Sequence, residues 1–136
     1  MYKMFLNCKS ISILDTSNFK ITKSMTTSRM FENCQSLSSP IFFKKFDSQN
    51  LIDTSYMFYN CKNITNISLN SNTNLHIKNS SFMFYECSNL EYLDMFSSSN
   101  DEEYINMNSM FYKCTNLKSL NLFNIKMNNI TNNMNK

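Results

Sequence analysis

Five cysteines and one histidine are the residues of this 136-residue chain whose chemistry deserves the first test. Nucleophilic catalysis pairs a thiolate with a base such as histidine, and zinc sites need closely spaced ligands such as C-x-x-C. The histidine, His76, lies apart from the segments that carry the cysteines, and no C-x-x-C pair occurs. The adjacent acids Asp101, Glu102 and Glu103 are typical of a solvated loop or helix start. The sequence therefore indicates no catalytic site, no metal site and no cofactor.

Composition excludes further function classes. The chain has no glycine, so it contains no phosphate-binding loop, no dinucleotide fingerprint and no G-x-S-x-G nucleophile elbow. A net charge of +3 is too small to indicate nucleic acid as a partner. The longest apolar runs are about five residues, far below the roughly 20 that span a bilayer, so we expect no membrane insertion by this segment. We therefore predict that the protein is not an enzyme.

Every cysteine ends the same phrase, Met-Phe-x-x-Cys. The phrases begin at Met4, Met30, Met57, Met83 and Met110, and successive cysteines are 26, 27, 26 and 27 residues apart. A catalytic nucleophile has no reason to recur at one position of every repeat, whereas a structural residue has. The cysteines therefore indicate an internal repeat of 26–27 residues.

Each repeat continues as C-x-x-L-x-x-L-x-L, of which Leu117, Leu120 and Leu122 are the cleanest copy. The final alternation has the period of two that a short strand with one buried face requires. One such unit cannot bury its apolar face alone, but stacked units can. The predicted fold is an α/β repeat solenoid of about five coils, with parallel strands on one face and short helical turns or loops on the other. The predicted single domain covers residues 1–127, and residues 128–136 form a polar Asn-rich tail.

Stacking places the repeated phrase in a common interior. The predicted core consists of Met30, Phe31, Cys34, Met57, Phe58, Cys61, Met83, Phe84, Cys87, Met110, Phe111 and Cys114. Cysteines on neighbouring coils would hold their Cβ atoms at about the strand spacing of 4.8 Å, slightly beyond the usual disulfide range. An odd number of cysteines also leaves one without a partner. Buried reduced thiols are therefore the favoured interpretation, with disulfides and a metal site as alternatives.

The repeated phrase resembles the leucine-rich repeats of BspA-like proteins, in particular the M-F-x-x-C-x-x-L-x-x-L-x-L variant of mycoplasma surface lipoproteins. The resemblance covers Met4 to about Leu122. In that family the residue before cysteine is often glycine in a left-handed conformation. Asparagine, the next-best residue there, precedes the first three cysteines. Glu86 and Lys113 are less suited, so we expect their turns to close differently, and we expect Pro40 to disturb the second strand.

Residues that face outward from the strands are the candidates for partner binding. If the sixth and eighth residues after each cysteine point inward, their neighbours point outward, and solenoids of this kind bind partners on that face. Exposed aromatic residues are enriched in binding hot spots. The candidates are Phe43, Tyr92, Asp94, Phe96, Asn121 and Phe123.

The function that the pattern favours is a protein-protein interaction module whose ligand binds the strand face. The resemblance implies an adhesion role at the cell surface or after secretion, although this chain holds no signal segment. The alternative is a cytoplasmic scaffold or assembly subunit that stacks end-on with another chain, including a second copy. Reduced cysteines favour that alternative, since oxidising compartments tend to pair them.

Overall fold

Short strands and turns make up the structure. The computed structural model describes residues 1–21, 24–43, 45–46, 51–69, 77–95 and 105–122. The strands are β1 (Lys20–Ile21), β2 (Ile41–Phe42), β3 (Lys45–Phe46), β4 (Asn66–Ser68), β5 (Tyr92–Met95) and β6 (Ser119–Leu122). Within these ranges the chain forms no helix, and so none that could cross a membrane. The predicted tail, residues 128–136, lies outside the described residues.

The strands pair in parallel, as predicted. The larger sheet has the order β2-β4-β5-β6, and β1 pairs with β3 in a second sheet of two strands. We number the repeat units one to five by their Met-Phe-x-x-Cys phrases. In the larger sheet each strand pairs with the strand of the next unit, so that Ile67 is in register with Leu93 and Leu93 with Leu120. The result is a repeat-like, β-rich fold with a small parallel sheet.

The Met-Phe-x-x-Cys phrases form turns. The prediction allowed short helical turns or loops opposite the strands, and the structure has the loops. The residues before methionine and before cysteine have positive φ in every unit, between 51° and 61°. Main-chain N–H groups alternate between two kinds of partner: Phe31 donates to Met57 of the next unit at 2.8 Å, whereas Met30 donates to Thr27 of its own unit at 3.1 Å. A left-handed residue at both ends of each phrase prevents a continuous helix.

The turns of units four and five close in the same way as the others, so the expectation that Glu86 and Lys113 close theirs differently is wrong. Both residues have φ of 59°, close to the 58° of Asn60. The N–H of Glu86 donates to the carbonyl of Tyr112 at 2.8 Å, as that of Asn60 donates to Tyr85 at 2.7 Å. In units one to four, hydrogen bonds to the next unit help to hold this conformation, which costs a residue with a Cβ atom about 1–2 kcal/mol.

In units two to five a polar residue four positions before the methionine of the phrase begins the turn. Thr26, Asp53, Asn79 and Asn106 form a ladder of parallel bridges from unit to unit. The Oδ1 atom of Asp53 accepts a hydrogen bond from the N–H of Ser55 at 2.9 Å, and the other three make the equivalent bond. These local bonds satisfy main-chain donors and fix where each turn starts.

The interior is one continuous stack of the repeated side chains. The phenylalanine rings of successive phrases stack with centroids 5.2 to 5.7 Å apart, for example Phe31 on Phe58 and Phe58 on Phe84. The predicted core positions of units two to four are buried, which confirms them: Met30, Phe31, Cys34, Met57, Phe58, Cys61, Met83, Phe84 and Cys87. In unit five Met110 is buried, and Phe111 and Cys114 are partly buried against the same cluster.

Unit two departs from the predicted register by one residue. Phe43 is 6% exposed and packs on Phe31 and Phe19, so the prediction that it faces outward is wrong. Its neighbour Phe42 is 53% exposed and Ile41 is buried. The cause is one extra residue between Cys34 and the strand, where Pro40 ends the loop. Pro40 thereby shifts β2 without abolishing it, since a proline just before a strand forfeits no ladder hydrogen bond.

Candidate functional site

The outward side chains of β2, β4, β5 and β6 form the strand face. Pairing places Phe42 beside Ser68, Ser68 beside Asp94 and Asp94 beside Asn121 in one row. A second row contains Asn66, Tyr92 and Ser119. Leu93, between the two rows on β5, points into the core because side chains alternate along a strand. Packing of inward residues such as Leu93 in the core therefore fixes the positions of the outward side chains.

An open depression of about 480 Å³ lies on the strand face. Two aromatic side chains line it and are largely accessible to solvent: Phe42 is 53% exposed and Tyr92 is 49% exposed. The small side chain of Ser68 and the polar side chains of Asp94 and Asn121 also line it, together with Asn66, Ile67, Leu93 and Ser119. Aromatic side chains are enriched in the hot spots of protein-binding surfaces.

Polar contacts fix the strand face. The Nδ2 atom of Asn121 donates to Oδ1 of Asp94 at 2.9 Å, which orients the carboxylate. At the margin Lys118 pairs with Glu91 at 2.9 Å, and its hydrogen bond to that carboxylate raises the pKa of Lys118. The Oδ1 atom of Asn66 is buried without a hydrogen-bond partner in the described part of the chain. The face therefore contains oriented acceptors together with its aromatic rings.

The structure brings three of the six predicted partner-binding residues together, since Tyr92, Asp94 and Asn121 all line the depression. Phe43 is in the core, as described above. Phe96 and Phe123 lie outside the described residues. Phe42 is the outward aromatic residue that the sequence analysis missed; its signal was the extra residue after Cys34, which moves the alternation of unit two by one position.

The cysteines have a structural contact that their spacing did not reveal. All five are free thiols, and from unit two onward each Sγ donates to the phenylalanine carbonyl of the preceding unit, as Cys61 does to Phe31 at 3.0 Å. Burial raises the pKa of Cys34 to about 11 and that of Cys114 to about 12, and raises the pKa of Cys61 and Cys87 well above the usual range. A protonated thiol is the form that can donate, so these cysteines are suited to bonding and not to nucleophilic attack.

The described part of the chain offers no cluster of metal ligands beside the strand face. The described residues contain no group of three or more histidine, cysteine, aspartate or glutamate side chains that could hold a metal ion. His76 and the acids Asp101, Glu102 and Glu103 lie outside the described residues.

Comparison with known proteins adds a family. The family model described as "Mycoplasma protein of unknown function, DUF285" matches residues 1–122. The chain belongs to this family. Neither a curated protein nor a solved structure matches the chain. The description of the DUF285 family leaves function open, so the functional argument depends on the surfaces of this chain.

The turn face of this DUF285 member is a second aromatic surface. It consists of the side chains that project outward from the phrases, and its rings stack from unit to unit. Tyr59, Tyr85 and Tyr112 form one column with centroids 4.9 and 4.8 Å apart. Four of its charged groups form two ion pairs: Arg29 bonds Glu32 at 2.8 Å, and Lys113 bonds Glu86 at 2.9 Å. Because these groups already contact each other, the turn face has less to offer a ligand than the strand face.

Proposed function

We propose that this chain is a leucine-rich-repeat-like solenoid that binds a protein partner on its strand face and catalyses no reaction. Residues 1–127 form the single domain of this proposal. The repeat length, the parallel register of equivalent residues and the buried phrase support the architecture. The resemblance to BspA-like repeats supports a cell-surface or secreted setting with an adhesion role.

The observation that carries the proposal is the exposure of Phe42 and Tyr92 on a rigid sheet. Large aromatic side chains at these positions are not needed to fill the core, since the inward residues beside them, Ile41 and Leu93, are already buried. Exposed rings around a polar depression provide apolar contact area together with hydrogen-bonding groups.

Site-specific photo-crosslinking tests the proposal. A benzoylphenylalanine replaces Phe42 in one variant and Tyr59, on the turn face, in a control variant. Each variant is irradiated in a cell-surface protein extract. We expect the probe at position 42 to crosslink one discrete protein. Crosslinking should be weaker or absent with the probe at position 59, and adding Tyr92→Ser to the position-42 variant should abolish it. Equal crosslinking from both positions, or none from position 42, would contradict strand-face binding.

End-on stacking is a second candidate function, because the two ends of the described stack are complementary. In every unit junction three N–H groups of one phrase donate to three carbonyls of the next phrase. Within the described residues the matching donors of unit five and acceptors of unit one make no such bond. The donors are the N–H groups of Ser109, Phe111 and Lys113, and the acceptors are the carbonyls of Tyr2, Met4 and Leu6.

The interior of unit one is open as well. Met4 is 52% exposed, whereas Met30, at the same position of unit two, is 0% exposed. A repeat unit of the same kind, from another chain or from a longer polypeptide, would cover Met4 and satisfy the carbonyls. This arrangement would suit a cytoplasmic scaffold with reduced thiols.

Sedimentation velocity of the 136-residue chain tests the stacking. We expect association that grows with concentration and is weakened by Met4→Glu, which places a charge on the open end. The exposed Met25→Glu is a matched control that should leave association unchanged. A monomer at all concentrations would contradict end-on stacking and leave strand-face binding intact.

A further inference from the structure

The hydrogen bonds between neighbouring turns have a direction. At each junction three N–H groups of one turn donate to carbonyls of the turn that follows it in the chain. Phe5 donates to Met30 at 2.8 Å in the first junction, and Phe84 donates to Met110 at 3.0 Å in the last. Unit five therefore presents donors on its outer surface, and unit one presents acceptors.

The cysteine thiols add one bond of the opposite direction at each junction. In units two to five each Sγ donates to the phenylalanine carbonyl of the preceding unit, as Cys114 does to Phe84 at 3.0 Å. In unit one Cys8 is a free, partly buried thiol, and the equivalent acceptor on unit five is the carbonyl of Phe111. A junction between unit five of one copy and unit one of another would therefore form both kinds of bond.

The apolar columns of the interior are partly open at the same two units. In units two to four the phenylalanine, the cysteine and the residue three positions after the cysteine are buried. In units one and five these positions are only partly buried: Phe5, Cys8 and Ile11, and Phe111, Cys114 and Leu117. The phenylalanine rings repeat every 5.2 to 5.7 Å, so the Phe111 ring of one copy would extend the column over Phe5 of the next. Such a junction would remove both apolar surfaces from water.

A symmetric pair of chains would not make these contacts. With unit one against unit one, carbonyls would face carbonyls. With unit five against unit five, N–H groups would face N–H groups. Either arrangement would bury main-chain polar groups without partners, which folded proteins and their interfaces avoid. A junction between two unlike surfaces satisfies the groups, and it does not close after two copies.

We propose that copies of this chain stack head to tail, with unit five of one copy on unit one of the next, so that the assembly grows beyond a pair. This inference rests on the end-on stacking proposed above and specifies its partner, a second copy of the chain, and its direction. Each added copy leaves one surface of each kind exposed, so concentration and not symmetry sets the size of the assembly.

A chain with one working surface tests the direction of stacking. Met4→Glu places a charge on the unit-one surface and leaves unit five unaltered, and Met4 is 52% exposed, so the variant should keep its fold. Fluorescently labelled variant is sedimented alone and mixed with the unaltered chain at constant total concentration. We expect it to be a monomer alone but to join the assemblies in the mixture and end their growth. An equimolar mixture should then contain about two copies per assembly at most, and Met25→Glu, the control, should leave the size unchanged.

A covalent crosslink provides a second test that does not depend on Met4→Glu. Lys113 pairs with Glu86 of the preceding unit at 2.9 Å, and both residues lie directly before a cysteine. Asn7→Glu places a carboxylate at this position of unit one, beside Lys113 of the neighbouring copy. Carbodiimide, which couples a carboxylate to an amine, should convert this variant into a ladder of dimers, trimers and larger products linked between positions 7 and 113. Asn7→Gln is the matched control and should not give this crosslink.

Three results would overturn the head-to-tail direction. They are a labelled Met4→Glu chain that stays monomeric in the mixture, one that associates with itself, and crosslinked products that end at the dimer. If the unaltered chain associates but one of these results is obtained, the direction is wrong and end-on stacking stands. If the unaltered chain is a monomer at all concentrations, both proposals are wrong.

Discussion

The turn face and the strand face follow opposite rules. On the turn face several positions carry the same residue in neighbouring units, and those side chains touch: tyrosine stacks on tyrosine in units three to five, and Asn33 donates to Asn7 at 2.8 Å. On the strand face one row reads Phe42, Ser68, Asp94 and Asn121, with a different residue type in each unit. A residue type thus repeats where its side chain contacts the same residue of the next unit. It varies where the side chain faces outward and is available to a partner.

A physical difference underlies this contrast. The turns use left-handed residues at both ends of each phrase, and in units one to four these residues donate main-chain hydrogen bonds to the next unit. A substitution there disturbs two units at once. The outward strand positions have their backbone bonds supplied by the sheet, so their side chains carry little of the stability. The contrast therefore predicts separate effects on unfolding and on binding.

Removing a ring from the repeated phrase should have the largest effect on stability. Phe58 is fully buried and stacks on Phe31 and Phe84. We expect Phe58→Ala to lower the free energy of unfolding by about 3–5 kcal/mol, measured by chemical denaturation. Tyr92→Ala, on the strand face, should change it by about 0.5 kcal/mol or less. Similar losses from both substitutions would break the contrast between the faces.

Alkaline pH should weaken the repeated interior before it affects the strand face. The buried thiols of Cys34, Cys61 and Cys87 have a raised pKa, to about 11 for Cys34. The unfolded chain releases these protons near pH 9 and the folded chain does not, so their stabilisation is complete below pH 9 and declines above it. At pH 10 each buried thiol should cost on the order of 1 kcal/mol of unfolding free energy.

Denaturant unfolding at pH 7.5 and pH 10 measures this loss, with Cys61→Ser as the control. Serine does not ionise in this range, so the variant should lose less stability between the two pH values than the unaltered chain. An identical loss in both proteins would indicate that the thiols are not the groups responsible.

Extending the asparagine ladder should give a smaller, stabilising effect on the turn face. Asn60 donates to Asn33 at 2.8 Å, but its own Oδ1 atom is buried and accepts no hydrogen bond from the described residues, because Glu86 is next in the column. Glu86→Asn supplies a donor and a residue that tolerates positive φ. We expect a gain of about 1 kcal/mol in unfolding free energy.

The matched control for the ladder is Glu91→Asn. Like Glu86, Glu91 forms an ion pair, with Lys118 at 2.9 Å. Unlike Glu86, it does not lie next to Asn60 in the column of turn residues. Loss of an exposed ion pair is worth about 1 kcal/mol at most, so this variant should show no gain. A gain in both variants would show that charge removal, and not the ladder, is the cause.

The sequence predicts the interior well because each buried position repeats. Phe58 and Cys61 were identified as core from their recurrence, and Tyr92 was placed on the outward face from alternation. The turns were harder to predict. The left-handed residue before each methionine is a different type in all five units, so no shared side chain indicates it. Its conformation comes from main-chain bonds between units, which side-chain patterns do not encode.

Unit two shows the limit of register prediction. A single extra residue between Cys34 and β2 exchanges the faces of every strand residue, so Phe42 and Phe43 take opposite places from those predicted. The spacing from cysteine does not reveal whether the loop or the strand absorbs the extra residue. In the structure the loop at Pro40 absorbs it, and the paired residues Ile41 and Ile67 keep the core aligned.

The most direct test of the difference between interior and strand face uses these two adjacent phenylalanines. Chemical denaturation of Phe42→Ser and Phe43→Ser compares the same substitution at neighbouring positions. Since Phe43 is 6% exposed and Phe42 is 53% exposed, we expect a loss of about 3 kcal/mol or more for Phe43→Ser and about 1 kcal/mol or less for Phe42→Ser. Equal losses, or a larger loss for Phe42→Ser, would contradict the assignment of the two faces.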